Sequence, residues 1–292
     1  MTSSTDHTYH NAALPQRFLL CTDLDRTLLP NGEAPESPGA RSMFARMVAQ
    51  PCLSLAYVSG RHLALVEESI QVYGLPQPDW ILADVGSSVY QRDAQAWSLL
   101  SPWSHHIAAD WQGLVAADLA VVLSGLPGLR LQPEDRQNTH KLSYFVSLDV
   151  DLPALLRAID TRLAERALAA NLIHSVDELA AVGLLDILPR RASKLYAIEF
   201  LMRRQGFTAD QTLFAGDSGN DLSVLTSSLP AVLVANAHPD VVELALAEVR
   251  RNGMPDRLYV ARGGFLGMNG NYSAGILEGM NHFHSEALRV LG

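Results

Sequence analysis

The sequence predicts an α/β protein with a Rossmann-like core of parallel strands and an inserted α+β cap domain. Short apolar runs alternate with helical segments in the first third of the chain and again after residue 184. This alternation is typical of a parallel sheet covered by helices on both faces. The stretch between the two regions has a different, mixed pattern and predicts the insertion. A composition of 48% hydrophobic and 18% charged residues supports a packed core and excludes disorder.

The first region of alternation predicts the first half of the core sheet. Two apolar runs, 17–24 (RFLLCTDL) and 52–58 (CLSLAYV), end in polar residues, as buried strands do. Leu65, Ile70 and Val72 are assigned to the core face of the second helix. The predicted elements are a strand at 17–24, a helix at 42–49, a strand at 52–58, a helix that begins after 61 and continues to about 72, a strand at 80–84 and a hairpin strand at 88–91.

The second region repeats the alternation and predicts the other half of the same sheet. Short turns rich in Gly, Ser and Asp separate its strands and helices. The predicted elements are a strand at 184–188, a helix at 194–204, a strand at 212–215, a helix from 220 and a strand at 231–235.

The intervening segment predicts the cap domain. Its predicted elements are a helix at 107–123, a strand at 141–148, a helix at 153–169 whose leucines keep helical spacing, and a strand at 171–176. The predicted domain limits follow from these patterns: a flexible tail at 1–16, a Rossmann-like core at 17–96 and 185–292, and a cap at 97–184.

Charge, hydropathy and cysteine content exclude several classes of protein. The chain has 31 acidic and 22 basic residues, a formal net charge of −9, and no basic run that could follow a phosphate backbone, so no nucleic acid partner is expected. Its apolar stretches are too short to span a bilayer, and its polar start does not resemble a secretory signal. Cys21 and Cys52 have no paired spacing, which favours a reducing cytoplasm.

An acidic motif, Asp23-Leu24-Asp25-Arg26-Thr27, follows the first predicted strand. The carboxyl ends of parallel strands are where open sheets place their ligand crevice. Side chains two apart on extended chain share a face, so Asp23 and Asp25 could act on one substrate. An acidic turn in which Asp25 caps the next segment is the alternative.

A second acidic motif, Gly216-Asp217-Ser218-Gly219-Asn220-Asp221, also follows a strand and opens a helix. Asp217 and Asp221 are four residues apart and face the same way on a first helical turn. Carboxylate oxygens so placed suit Mg²⁺, which also binds substrate phosphate. Helix capping by Asp217 and a favourable dipole position for Asp221 are the alternative, although one acid would satisfy them.

Two further polar groups complete the pattern. Ser59-Gly60-Arg61 follows the second strand, and Lys194 opens the helix after 184–188. A hydroxyl, backbone N–H groups and an ammonium suit a phosphoryl group. Taken alone, Ser-Gly-Arg is more often an ordinary turn and Lys194 more often a solvated helix residue. The order acid pair, hydroxyl, lysine and acid pair, each at a strand exit, favours a phosphate-handling site.

In these four motifs the sequence resembles the haloacid dehalogenase (HAD) superfamily. Within it, residues 17–284 look like the sucrose-phosphate phosphatase group and its Cof-type relatives. The resemblance implies that Asp23 is the nucleophile and Asp25 the general acid and base. It further implies Mg²⁺ bound by Asp23, the Asp25 carbonyl and Asp217, with Asp221 in support. The groups implied to hold phosphate or substrate are Ser59, Lys194, Asn220, Thr27, Gly60 and Arg61.

The cap domain is expected to select the sugar. Lys141 and Ser143 match the family's Lys-x-Ser strand and could reach sugar hydroxyls, or be polar residues of an exposed sheet face. Asn236 could contact substrate or lid, or form a turn. Sucrose 6-phosphate is the leading substrate, and a glycosyltransferase of the same pathway is a candidate partner.

Other activities stay open at this point. The rival substrates are mannosylfructose phosphate, glucosyl- or mannosylglycerate phosphate, and hexose or aminosugar phosphates. A phosphomutase would isomerise its substrate rather than release phosphate. A non-catalytic partner of a glycosyltransferase would keep the fold without needing the acids and Lys194.

Overall fold

A computed structural model describes residues 17–94, 96–177 and 180–291. In chain order, its strands are β1 (Phe18–Thr22), β2 (Leu53–Val58), β3 (Trp80–Ala83), β4 (Ser88–Asp93), β5 (Ala96–Leu99), β6 (Leu129–Leu131), β7 (Leu142–Val146), β8 (Ala170–Asp177), β9 (Val182–Pro189), β10 (Thr212–Gly216), β11 (Ala231–Leu233) and β12 (Leu258–Val260). Its helices are α1 (Ala40–Val48), α2 (Leu63–Tyr73), α3 (Ser101–Ala108), α4 (Ala116–Val122), α5 (Leu152–Ala164), α6 (Lys194–Gln205), α7 (Leu222–Leu225), α8 (Pro239–Arg251) and α9 (Ser273–Phe283).

The larger sheet has eight strands in the order β12-β11-β10-β1-β2-β3-β4-β5. The first six of these are parallel, and β4 and β5 add an antiparallel edge. Strand β1 lies in the middle and is buried throughout, which explains its unbroken apolar sequence. Phe18 and Leu20 enter the core on one face of the sheet, and Leu19 and Cys21 enter the core on the other. The predicted α/β class is confirmed.

The smaller sheet is antiparallel, with the order β6-β7-β9-β8. Helices α4 and α5 cover it, and Leu119, Leu142, Ile159 and Ile187 meet in its core. Both sheets are formed by one chain that leaves the larger sheet after β5 and returns to it at β10. The smaller sheet is therefore placed beside the larger one as an insertion.

One predicted strand lies in a different sheet from the one expected. The sequence assigns the run at 184–188 to the core sheet, but this run forms part of β9, which pairs with β7 and β8. An apolar run does not specify its pairing partner, so this prediction was wrong. Strand β5 continues the larger sheet, and Trp103 of α3 packs in its core. The domain limits at 96/97 and 184/185 stay predictions.

Two helix predictions also differ from the structure. The helix predicted at 107–123 is two helices, α3 and α4, because Gln112 and Gly113 adopt φ values of +54° and +84° between them. Val72, assigned to the core face of α2, is 69% exposed, and Val66 is buried instead. The predicted tail at 1–16 lies outside the described residues. Among the residues described, no helix has the length and hydropathy needed to cross a membrane.

Candidate active site

Polar residues from three adjacent strands meet at one edge of the larger sheet. Asp23 follows β1, Ser59 follows β2 and Asp217 follows β10, and these strands are neighbours in the order β10-β1-β2. The carboxyl ends of parallel strands share an edge, so chain segments far apart in sequence come together there. All three side chains are buried.

Lys194 connects the two acidic motifs. Its Nζ lies 3.0 Å from Oδ1 of Asp23, 2.7 Å from Oδ1 of Asp221 and 2.8 Å from Oδ1 of Asn220. The three donors of the ammonium therefore each have an acceptor. The Lys194 side chain is 1% exposed, so its charge is balanced by Asp23 and Asp221 rather than by water. The chain contains only two lysines, Lys141 and Lys194.

Two glycines make this packing possible. Gly86, with φ of +93°, lies in the turn after β3, where a Cβ would stand 2.4 Å from the Ser193 carbonyl oxygen. Its missing side chain lets the start of α6, and with it Lys194, approach the sheet. At Gly216 a Cβ would lie 2.7 Å from Oδ2 of Asp221, so this glycine leaves room for the carboxylate.

The second acidic motif is held by hydrogen bonds on both of its acids. Oδ2 of Asp221 accepts from the backbone N–H groups of Asp217 and Ser218, each at 3.2 Å. Oδ1 of Asp217 accepts from the Thr27 hydroxyl at 3.0 Å, and its Oδ2 lies 3.5 Å from Nε of Arg26. The two motifs therefore position each other.

Asp23, Asp217 and Asp221 are suited to hold a metal ion. Each offers a carboxylate oxygen, and these oxygens lie within 4.8 Å of one another. Oδ2 of Asp217 is buried and has no hydrogen-bond partner among the described residues, which leaves a lone pair free for an ion. Hard carboxylate oxygens are the ligands that Mg²⁺ prefers. The donor set therefore fits Mg²⁺.

The buried acids bind protons more readily than isolated carboxyl groups do. Burial raises the pKa of Asp217 to about 6, with help from the charge of Asp221 and against Thr27, Arg26 and Lys194. Burial also raises the pKa of Asp23; Lys194 opposes the rise, and the charges of Asp221 and Asp217 add to it. A bound cation would offset the repulsion that causes part of both shifts.

These shifts predict how Mg²⁺ and pH act together on stability. Native Asp217 binds protons more tightly than the unfolded chain, so its ionisation lowers the free energy of unfolding as pH rises from about 4 to about 6. Asp23 acts in the same direction. Mg²⁺ binds the ionised form, so its stabilising effect should be larger at about pH 8 than at about pH 5.

The measurement is the thermal midpoint in EDTA and in Mg²⁺ at both pH values, for the native chain and for Asp217→Asn. The variant isolates the contribution of this carboxyl from that of other titrating groups. A Mg²⁺ effect that is the same at both pH values, or the same in both proteins, would contradict the prediction.

Asp25 pairs with Arg61 rather than with Lys194. Nε and one terminal nitrogen of Arg61 donate to the two oxygens of Asp25 at 2.8 and 2.6 Å, and Asn31 donates at 2.7 Å. The other terminal nitrogen of Arg61 donates to the Ser69 hydroxyl at 2.8 Å. Burial would raise the pKa of Asp25, but the bonds and charge of Arg61, with Asn31, hold it below its usual value.

Ser59 and Gly60 form the turn that leads to Arg61. Ser59 is buried, and its Oγ accepts from the Arg61 N–H at 3.1 Å. Gly60 lines the cleft described below, with space where a side chain would lie. The turn after β3 pairs with this one, because Asp84 N–H donates to the Arg61 carbonyl and Val85 N–H to that of Ser59.

A cleft opens between these turns and the smaller sheet. A cavity of about 240 Å³ is lined by Asp23, Asp25, Arg61 and Asp217 from the core, and by Arg136 and Lys141 from the inserted segment. A second cavity of about 630 Å³ shares Gly60, Ser218 and Asn220 with the first and extends along β8 and β9, where Asn171 and His174 of β8 and Asp186 of β9 line it. The acids thus lie at the bottom of a cleft roofed by the insertion.

Lys141 brings the insertion into direct contact with an acid of the core. It is buried, and its Nζ lies 3.5 Å from Oδ1 of Asp84. Asn138 donates to the hydroxyls of Ser87 and Ser88 at 3.2 and 3.4 Å. These contacts join the smaller sheet to the exit of β3.

Two sequence-predicted site residues occupy other positions. Ser143 is fully buried, and its hydroxyl donates to Oδ1 of Asp186 at 2.5 Å, with the Arg136 carbonyl oxygen as a second acceptor at 3.2 Å. Direct contact of Ser143 with a sugar therefore does not fit this structure, and Asp186 lines the cleft in its place. Asn236 lines neither cavity, and it bonds instead to the backbone of Arg26 and Tyr272.

Sequence reasoning missed Asp84, Arg136 and Asp186 in and beside the cleft. Asp84 follows β3 at the same edge as the other acids, so the rule that found Asp23 and Asp217 could have found it. Arg136 lies in a short turn before β7, and Asp186 lies on an antiparallel strand whose polar residues alternate in any case. No sequence signal separates these two from ordinary surface residues.

A parallel sheet with a buried nucleophile candidate, a lysine and an acidic pair at its carboxyl edge defines a HAD-type phosphatase, a phosphoric monoester hydrolase. Comparison with known proteins identifies the group within this class. Residues 16–284 match the family Sucrose-6F-phosphate phosphohydrolase, and the chain belongs to that family.

Known relatives and structures agree with this assignment. The chain is 50% identical over 94% of its length to a protein of Nitrosococcus oceani named only as a HAD-like hydrolase, covering 73% of that protein. It is 28% identical over 91% of its length to the mannosylfructose-phosphate phosphatase of Agrobacterium fabrum, covering 96% of it.

Among solved structures, the sucrose-phosphatase of Synechocystis sp. PCC6803, in complex with sucrose and phosphate, has a TM-score of 0.70 and 25% identity, over 92% of this chain and 98% of that one. The chain spans 53% to 60% of the length of the sucrose-phosphatases of Arabidopsis thaliana and Nicotiana tabacum that it matches.

Proposed function

We propose that the protein is a Mg²⁺-dependent phosphatase that hydrolyses a sugar phosphate, with sucrose 6-phosphate as the leading substrate, through an aspartyl-phosphate intermediate. The observation that carries the proposal is the placement of Asp23. Its carboxylate lies at the bottom of the cleft, 3.0 Å from Lys194 Nζ and beside the carboxylates of Asp217 and Asp221. One point of the cleft therefore combines a nucleophile with the ammonium of Lys194, which suits phosphoryl oxygens, and with a set of carboxylates that suits a metal ion.

In the first step, a carboxylate oxygen of Asp23 attacks phosphorus and the bond to the sugar oxygen breaks. Asp25 gives a proton to the leaving sugar oxygen. Asp25 is two residues from Asp23 and lines the same cavity, so one substrate can reach both. Donating a proton requires protonated Asp25, and the hydrogen bonds and charge of Arg61 act against this form by lowering the pKa of Asp25.

In the second step, Asp25 takes a proton from water, which attacks the phosphorus of the aspartyl-phosphate and releases phosphate and free Asp23. The Arg61 pair favours the ionised form of Asp25 that this step needs. The sequence resemblance implies that Arg61 holds phosphate or substrate. In the proposed mechanism, Arg61 acts on Asp25 more directly than on the phosphoryl group.

Phosphoryl charge is held by several groups of the cleft floor. Lys194 contacts the nucleophile, Asn220 contacts Lys194, and Gly60 lines the cleft with Asp23. Ser59 is buried and lines neither cavity, so its hydroxyl supports the turn through the Arg61 N–H. Thr27 acts indirectly, because its hydroxyl is bonded to Asp217. Mg²⁺, held by Asp23, Asp217 and the Asp25 carbonyl with Asp221 in support, would neutralise the negative charges of nucleophile and phosphate.

The sugar is proposed to occupy the larger cavity under the insertion. Its volume of about 630 Å³ is within the usual range for small-molecule sites. Lys141 and Arg136 approach the leaving group from the insertion, and Asp186, Asn171 and His174 offer hydrogen bonds farther out. The named activities of the Synechocystis and Agrobacterium relatives support a disaccharide phosphate.

A glycosyltransferase of the same pathway is proposed as a partner. The chain is 30% identical, over 77% of its length, to the glucosylglycerol-phosphate synthase of Pseudomonas anguilliseptica and covers 27% of that protein. A segment similar to this chain therefore exists within a larger protein named as a synthase. A cytoplasmic location, favoured by the sequence, completes the proposal.

The decisive experiment is phosphate release from a panel of esters, with Mg²⁺ and with EDTA. The panel contains sucrose 6-phosphate, mannosylfructose phosphate, glucosylglycerol phosphate, glucose 6-phosphate and glucosamine 6-phosphate. We expect release only with Mg²⁺ and the highest kcat/KM for sucrose 6-phosphate. Preference for another ester would keep the chemistry and replace the substrate, and no release from any ester would overturn the proposed function.

A further inference from the structure

Asn236 joins two backbone segments beside the acidic motifs. It follows β11, next to β10 in the sheet, and its side-chain amide is bonded on both sides. Nδ2 donates to the Arg26 carbonyl at 2.6 Å, and Oδ1 accepts from the Tyr272 N–H at 2.9 Å. One side chain thus links the loop after β1 to the start of α9.

Both linked residues have backbone conformations that side chains disfavour. Arg26 has φ of +58°, and Tyr272 has φ of +52° with ψ of −132°. Non-glycine residues keep such conformations only where surrounding contacts hold them. The Tyr272 ring is fully buried, and its hydroxyl donates to the Ala34 carbonyl at 3.0 Å, so this side of the link is anchored.

The Arg26 residue is held from both ends. Its N–H donates to Oδ1 of Asn31 at 2.8 Å, while its carbonyl accepts from Asn236. The same Asn31 donates to Asp25. The backbone conformation of Arg26 therefore determines the positions of the preceding residue, Asp25, and of the following residue, Thr27.

Arg26 and Thr27 both contact Asp217. The Thr27 hydroxyl bonds Oδ1 at 3.0 Å, and Nε of Arg26 lies 3.5 Å from Oδ2. Moving the Arg26 peptide would shift both contacts and the adjacent Asp25. Asn236 lines neither cavity, so a change there would reach Asp25 and Thr27 through the Arg26 peptide.

We infer that Asn236 is a positioning residue for the reaction, which holds the Arg26 peptide so that Asp25, Thr27 and Arg26 keep their places around the substrate phosphate. This inference rests on the proposed function. Of the roles considered from the sequence, turn formation agrees with the structure, because the Ala237 N–H donates to the Val234 carbonyl at 3.0 Å across a turn that contains Asn236. The positioning role is proposed in addition to it and in place of substrate contact.

The test separates the two arms of the Asn236 amide. Asn236→Asp keeps an oxygen for the Tyr272 N–H but replaces the donor to Arg26 with an acceptor. We expect kcat to fall roughly 100-fold, the scale of a misplacement of about 1 Å at a reacting centre. KM should stay near the native value because no contact with substrate is lost. The thermal midpoint should fall, because the new carboxylate opposes the Arg26 carbonyl, but the remaining Tyr272 arm should keep the variant folded at the assay temperature.

The matched control is Asn252→Asp, which makes the same exchange at an amide that donates to the Thr226 carbonyl at 3.2 Å, away from the cleft. It should keep native kcat and KM. Should Asn236→Asp fail to fold, Asn236→Ala, which brings no charge to the Arg26 carbonyl, decides by the same division between kcat and KM.

Three outcomes would count against the inference. Native kcat in Asn236→Asp would overturn it, and so would a loss of activity that matches the unfolded fraction. A rise in KM at constant kcat would return Asn236 to substrate binding. An inactive native protein would instead refute the proposed function, so the two failures are distinguishable.

Discussion

Replacement of Asp23 by asparagine should abolish phosphate release while leaving the fold intact. The amide cannot attack phosphorus, and kcat should fall on the order of 10⁶-fold, the scale observed when a catalytic nucleophile is removed. The amide oxygen of this variant can still accept a hydrogen bond from Lys194 Nζ. The charge of Lys194 is still paired with Asp221. The removal of one charge from three crowded carboxylates should maintain or raise the thermal midpoint.

The measurement is kcat with the best ester of the panel, together with the thermal midpoint and binding of that ester. Asp79→Asn is the matched control: Asp79 precedes β3 at the opposite edge of the sheet, where its Oδ2 accepts from the Leu55 N–H at 2.9 Å. This control should keep native turnover. If Asp23→Asn retained substantial turnover, the assigned nucleophile would be wrong.

Replacement of Lys194 by methionine should impair both turnover and stability. The change removes a buried cation from between Asp23 and Asp221, and breaking such a pair costs about 3–5 kcal/mol of unfolding free energy. It also removes a charge that stabilises the phosphoryl transition state, which is worth roughly 10²- to 10³-fold in kcat. The loss of stability comes from the unbalanced carboxylates, and the loss of turnover comes from the missing cation at the phosphoryl oxygens.

Mg²⁺ should restore stability in this variant but not turnover. The three acids can share a cation in place of the lysine, so the thermal midpoint of Lys194→Met should rise more with Mg²⁺ than that of the native chain. Arg204→Met removes the same charge from an exposed position on α6 and should have little effect on either quantity. Native-like kcat or an unchanged thermal midpoint in Lys194→Met would refute this account of the site.

The two lysines also allow a test of their separate roles. Lys141→Met should raise KM with little change in kcat, because Lys141 lines the cleft from the inserted segment and lies against Asp84 rather than Asp23. A fall in kcat equal to that of Lys194→Met would place Lys141 at the phosphoryl group instead.

The sequence alone determined the fold class and the floor of the site. The hydrophobic periodicity of a strand or helix depends only on neighbouring residues, so the alternation of strands and helices in the core could be recognised from the sequence. Asp23, Ser59 and Asp217 could be placed together because parallel strands end at one edge whatever their order in the sheet. Both acidic motifs belong to this set. Lys194 does not, because it follows β9 of the smaller sheet, and its place beside the acids came from the resemblance to the HAD superfamily.

Only the tertiary structure decided which residues come into contact where the rule on the ends of parallel strands does not apply. Strand β9 joins the smaller sheet, Ser143 is buried against Asp186, and the Asn236 amide bonds the backbone of Arg26 and Tyr272. The pairing partner of a strand, the burial of a polar strand residue and the acceptors of an amide depend on packing between distant segments. A local sequence pattern carries no information about these contacts, because the same residues alternate on any half-exposed strand or turn.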